Sequence, residues 1–129
     1  MTRPAPAPFR PFTNQSIPLT ELLEVAKSER VSFRTGDVLL IRTGWLDEYH
    51  KLSTQDQERL GGRDDRASLG VEATEESLRW HWENGFAAVA SDTVAYEQWP
   101  SPRPWGVCAH EVSGFFRSWD RFLTCNRFS

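Results

Sequence analysis

Residues 36–45, Gly-Asp-Val-Leu-Leu-Ile-Arg-Thr-Gly-Trp, constrain the fold more than any other stretch of this chain. A turn-forming Gly-Asp pair feeds four consecutive apolar residues, two of them β-branched, and the run stops at a glycine followed by a tryptophan. No polar residue alternates within the run, so it suits a strand covered on both faces. The pattern returns at Gly85-Phe86-Ala87-Ala88-Val89-Ala90-Ser91-Asp92. Residues 38–42 and 86–90 are therefore expected to be strands of one sheet, with Leu40 and Val89 shielded from solvent.

Helical signals flank these runs. Leu19, Leu22, Leu23 and Ala26 recur at helical spacing after Pro18, which predicts a helix over 19–27. Residues 45–60 read as a weaker helix, ending at the Gly61-Gly62-Arg63-Asp64 loop. A third helix is expected over 75–84, with Thr74 as N-cap, Glu75 and Glu76 facing the positive helix start, and Gly85 just past its end. On this reading Leu78 and Trp82 form its inward face. A short helix over 109–119 completes the set. Strand, helix and strand with compact connections predict an α/β chain, a small mixed sheet with flanking helices.

Four prolines within the first eleven positions disfavour regular structure, so residues 1–14 read as a flexible arm and 15–129 as a single domain. That arm lacks the apolar core of a secretory signal, and no apolar run approaches the roughly 20 residues of a bilayer span. A net charge of −3 offers no basic footprint for nucleic acid. Two cysteines, Cys108 and Cys125, are too few for a disulfide framework, so a reduced, cytoplasmic setting is expected. Six tryptophans are many for 129 residues. Trp99, Trp105 and Trp119 crowd the last third, where core and subunit packing competes with a ligand-binding role around Trp99 and Trp105.

Chemistry-bearing residues are sparse. The three histidines, His50, His81 and His110, share no metal-ligand spacing, so no metal ligand is assigned within this chain. His110-Glu111 follows the Trp105-Gly106 turn at an expected helix start, and a histidine there can exchange protons near neutral pH or simply pack beside Trp105. Asp92 ends the second strand beside a loop, where it serves either chemistry or an Asx turn of its own loop. Arg42 ends the first strand and can grip an anionic substrate group or pair with a carboxylate. His81, between two tryptophans, is expected at a surface or interface.

Taken in order, residues 36–45, 82–92, Tyr96-Glu97-Gln98-Trp99-Pro100 and His110-Glu111 resemble the cyclase family, the metal-dependent hydrolases that include kynurenine formamidase-type enzymes, and within it the fungal cyclase-like branch. The likeness runs from about Leu19 to Glu111 and fades in the Arg- and aromatic-rich residues 113–129. It implies a partial cyclase-like fold, with His110 and Asp92 as catalytic residues sharing one cleft and Arg42, Trp99 and Trp105 binding substrate. The family's metal signature, HxGTHxDxPxH, has no counterpart here; it would lie upstream of residue 1. The family cofactor is a divalent metal such as zinc or manganese, and none is expected for this chain alone. The resemblance implies a hydrolase or cyclase acting on a small amide, ester or lactone, with fungal secondary-metabolite biosynthesis as its setting. The alternative is a truncated non-catalytic remnant, or a partner of a full-length paralogue. A small-molecule substrate and a homo-oligomer or paralogue complex are the partners this leaves open; nucleic acid and membrane are not expected.

Overall fold

A computed structural model describes residues 8–102. The order of elements is β1 (Ser16–Ile17), α1 (Leu19–Ser28), β2 (Val38–Ile41), α2 (Trp45–Lys51), α3 (Thr54–Gly61), β3 (Gly70–Val71), α4 (Glu75–Asn84) and β4 (Ala88–Ser91). The chain is α/β, as its patterning predicts. Among the described residues, the strands form two two-stranded parallel sheets, β1 with β3 and β2 with β4. The expected helix over 109–119 lies outside the described residues.

β2 and β4 are the two apolar runs, paired from Val38↔Ala88 to Ile41↔Ser91. The expectation that both faces are covered fails. Val89 is 1% exposed, but Leu40 is 73% exposed and Val38 58%. Described elements pack on one face of this pair only, so every second residue of β2 points to an uncovered side. The continuous apolar pattern stays unfulfilled within residues 8–102.

α4 matches its expected limits. The Thr74 side chain accepts from the Ser77 amide at 3.2 Å, and Gly85 closes the helix in the left-handed region at φ 62°. Its inward face is not the expected one. Ser77 and His81 are buried, whereas Trp82 is 48% exposed. Trp80 joins that face, with ring centroids 5.2 Å from Phe33 and 5.4 Å from Phe86. The weak helix expected over 45–60 is two helices. Leu52 turns extended and Ser53 starts α3, its side chain accepting from the Asp56 amide.

α1 has no side-chain cap from its own N-cap residue, Pro18. Glu72 fills the role from 53 residues away, accepting from the Leu19 amide at 3.0 Å. β3 is held on its other side by residues 96–99, through Val71 N–H to Tyr96 O at 2.9 Å, Gln98 N–H to Val71 O at 3.0 Å and the Ser68–Trp99 bridge. Residues 8–14 lie against this unit. Leu69 N–H donates to Pro11 O at 3.2 Å, and Phe12 meets Trp45 edge-on.

Candidate functional site

Parallel register brings the carboxyl ends of β2 and β4 side by side. In open parallel sheets such strand ends are where ligands bind, because loops diverge there while the strands fix their starting points. Two of the sequence-predicted site residues stand at this place, Arg42 after β2 and Asp92 after β4.

Asp92 does not form an Asx turn of its own loop. It reaches across to the neighbouring strand, where Oδ1 accepts from the Thr43 amide and the Thr43 hydroxyl, both at 2.7 Å. Its Oδ2 accepts from the Gly44 amide at 3.0 Å. Gly44 sits at φ 87°, so its N–H can turn toward the carboxylate at little steric cost. Thr43 Oγ1 in turn accepts from the Trp45 amide at 3.2 Å. Partial burial pushes the Asp92 carboxyl up, but these bonds outweigh burial and hold it below its ordinary range. Asp92 is thus an ionised clamp that fixes the β2–α2 turn.

The turn carries aromatic cover. Trp45 stacks on Tyr49, with centroids 5.2 Å apart and planes 10° apart. The indole Nε1 of Trp45 is buried and has no hydrogen-bond partner among the described residues. Arg42 leaves this cluster. Its guanidinium pairs with Asp47 on α2 at 2.6 Å, with side chains 78% and 56% exposed. Of the two readings for Arg42, the structure shows the carboxylate pair.

Trp99 belongs to the unit around β3. Its backbone bridges Ser68, next to β3, with both hydrogen bonds at 2.9 Å. Trp105 and His110 lie outside the described residues, so the expected His110–Asp92 cleft does too.

His81 is where sequence reasoning missed most. It is 5% exposed, not a surface or interface residue. Nδ1 lies 2.6 Å from the Ser77 carbonyl, and Nε2 lies 2.7 Å from the Tyr96 hydroxyl. A carbonyl only accepts, so Nδ1 carries the proton and Nε2 of the neutral ring accepts from Tyr96. Burial lowers the His81 pKa, against the pull of the Ser77 carbonyl, and burial raises that of Tyr96. Both groups are neutral near pH 7. Sequence carried no signal for this burial, since Nδ1 bonds a backbone carbonyl that any residue at 77 would offer and the partner of Nε2 lies fifteen residues away.

No three His, Cys, Asp or Glu side chains among the described residues are placed to hold an ion. The donors of Asp92 are amides and a hydroxyl, which stabilise the carboxylate without a cation. Also among the described residues, no helix is long and apolar enough to cross a membrane.

The cyclase family model ("Putative cyclase") matches residues 10–98. A solved structure described as that of a novel cyclase superposes with a TM-score of 0.58 at 23% identity, covering 68% of this chain and 28% of that one. The match therefore spans little more than a quarter of that structure's length. No curated protein matches the chain.

Proposed function

Since this chain belongs to the cyclase family, we propose that it contributes the strand-end portion of a hydrolase or cyclase for a small amide, ester or lactone, with the metal ligands supplied from outside residues 1–129. The observation that carries this reading is the convergence of Asp92, Thr43 and Gly44 at the paired carboxyl ends of β2 and β4. Hydrolysis of such a carbonyl needs a Lewis acid or an equivalent to stabilise the oxyanion and supply a nucleophile. The described residues offer neither a ligand cluster nor a free base at this point, because Asp92 is occupied by the turn. The chain's own part is to hold the turn at the sheet edge in one geometry, with Arg42 at its rim, where an anionic substrate would have to displace Asp47 from the guanidinium.

The test is an assay of purified chain with zinc or manganese on an N-formyl aryl amide, alone and after co-expression with a full-length family paralogue. No turnover alone and turnover only in the complex is the expected result. If Asp92→Asn then left that turnover unchanged, the strand-end assignment would be wrong. Turnover by the chain alone would show that the ligands lie within it. A reading as a non-catalytic partner is favoured by the open face of β2, where Leu40 and Val38 are exposed. It predicts a complex without turnover.

A further inference from the structure

A pair of polar side chains joins α4 to residues 96–99. His81 sits on the inward face of the helix and is 5% exposed. Its Nε2 accepts from the Tyr96 hydroxyl at 2.7 Å, and the two rings meet edge-on with centroids 5.6 Å apart. Its Nδ1 donates to the Ser77 carbonyl at 2.6 Å. Trp80 and Phe86 pack around the same ring, with centroids at 4.9 and 6.2 Å.

Tyr96 also belongs to a backbone seam. Its carbonyl accepts from Val71 N–H at 2.9 Å, Gln98 N–H donates to Val71 O at 3.0 Å, and Trp99 N–H donates to Ser68 O at 2.9 Å. Beyond the seam, Gln98 Nε2 donates to Asn14 O at 3.1 Å. The Tyr96 hydroxyl therefore ties α4 to the unit built on β3.

The tie fits one protonation state. A neutral ring offers Nε2 as an acceptor, whereas an imidazolium carries N–H on both nitrogens. Against an imidazolium the Tyr96 proton loses the acceptor it has among the described residues. Tyr96 is also the titratable group in contact with the ring. Glu97, next to it on the seam, is itself 5% exposed. On α4 the flanking charges, Arg79 and Glu83, are exposed, and Arg79 pairs with Glu75 at 2.9 Å. No charged side chain of the described residues enters the proton affinity of His81, which burial lowers and the Ser77 carbonyl raises. A buried cation without a counter-charge is costly, and withdrawing Tyr96 lets water reach it. α4 keeps its other contacts, since Trp80 packs on Phe33 and Phe86 without the imidazole.

We propose that the His81–Tyr96 pair is a pH-sensitive latch between α4 and residues 96–99, shut while the imidazole is neutral and released when it takes up a proton. The proton comes from solvent and sits on Nε2; no covalent bond changes. Release withdraws Tyr96 and breaks the seam to Ser68 and Val71, while α4 stays on the Phe33–Trp80–Phe86 cluster. The latch is a property of this packing and does not depend on the catalytic reading.

The test is residue-resolved amide exchange by NMR on the full chain at pH 7.5 and 5.5, corrected for the pH dependence of intrinsic exchange. At both values the Val71, Gln98 and Trp99 amides should open more readily than the interior amides of α4, and their opening should rise about fivefold at pH 5.5. The His81 imidazole signal, identified as the one lost in His81→Gln, should titrate over the same range. His81→Gln keeps a donor for the Ser77 carbonyl and an acceptor for Tyr96 but takes up no proton, so the rise should vanish. If that variant does not fold, Tyr96→Phe replaces it, and the same three amides should already open more at pH 7.5. The proposal is overturned if the three amides hold at pH 5.5, or if they open only together with α4. It is equally overturned if the rise persists in His81→Gln, or if Tyr96→Phe leaves them as protected as in the parent chain.

Discussion

Asp92 and His81 show two ways in which one polar side chain settles its surroundings. Asp92 satisfies two amides and a hydroxyl that would otherwise face the sheet edge unpaired. Asp92→Asn swaps an acceptor oxygen for a donor against these groups. It is expected to cost about 1 kcal/mol in urea unfolding, the lower end of the range for hydrogen bonds to charged groups because these bonds are only partly buried. The folded pKa of Asp92 lies below its ordinary 3.8, so its stabilising contribution is complete above that value. It is lost only as the pH falls through the lower, folded pKa. His81 titrates in the opposite sense. Its ordinary pKa of 6.5 applies to the unfolded chain and the folded value is lower. Between those two values the unfolded state binds the extra proton, so stability drops as the pH falls below 6.5. Urea midpoints measured at pH 7.5 and 5.5 should differ by up to about 1 kcal/mol in stability, and His81→Gln should flatten the difference. A midpoint that does not move would mean His81 is solvated.

At the scale of elements, β3 depends on a glycine for close approach. A Cβ at Gly70 would stand 2.3 Å from the Glu97 carbonyl carbon and 2.6 Å from the Gln98 amide nitrogen, all backbone atoms that cannot swing aside. Gly70→Ala is therefore expected to part β3 from residues 96–99 and to cost about 3 kcal/mol, the upper range for overpacking. Thermal unfolding followed by circular dichroism would register it, and a loss under 1 kcal/mol would refute the close contact. Thr74→Ala removes the α4 cap and should cost about 1 kcal/mol by the same measurement. The limits of α4 were legible in sequence because Thr74 and Gly85 are local signals. The face it buries was not. Trp82 looks like a core residue, but His81 takes the core because the Ser77 carbonyl and Tyr96, fifteen residues beyond His81, match its two ring nitrogens.

For the whole molecule, the family model matches residues 10–98, and the superposition on the solved cyclase takes in 68% of this chain and 28% of that one. Such a piece holds the sheet-edge scaffold and not, among its described residues, the ligand cluster. The chain should retain zinc or manganese through gel filtration no better than a protein with scattered surface histidines, because isolated ligands cannot supply the binding free energy of a cluster. Equimolar metal after gel filtration would contradict this, and His110 would be the first residue to replace.

Sequence by itself determined the two apolar strands, the helices that begin at 19 and 75, and the family, since each rests on periodicity, caps and short ordered motifs. The continuous run Val38-Leu39-Leu40-Ile41 could specify a strand, but not whether a layer covers its second face. That depends on elements distant in the chain, and the described ones leave Leu40 open. Sequence likewise placed Asp92 at a strand end, where only its polarity could be read. The tertiary structure decided its role, because parallel register set Thr43 and Gly44 against it and turned an apparent free carboxylate into the clamp of the neighbouring turn.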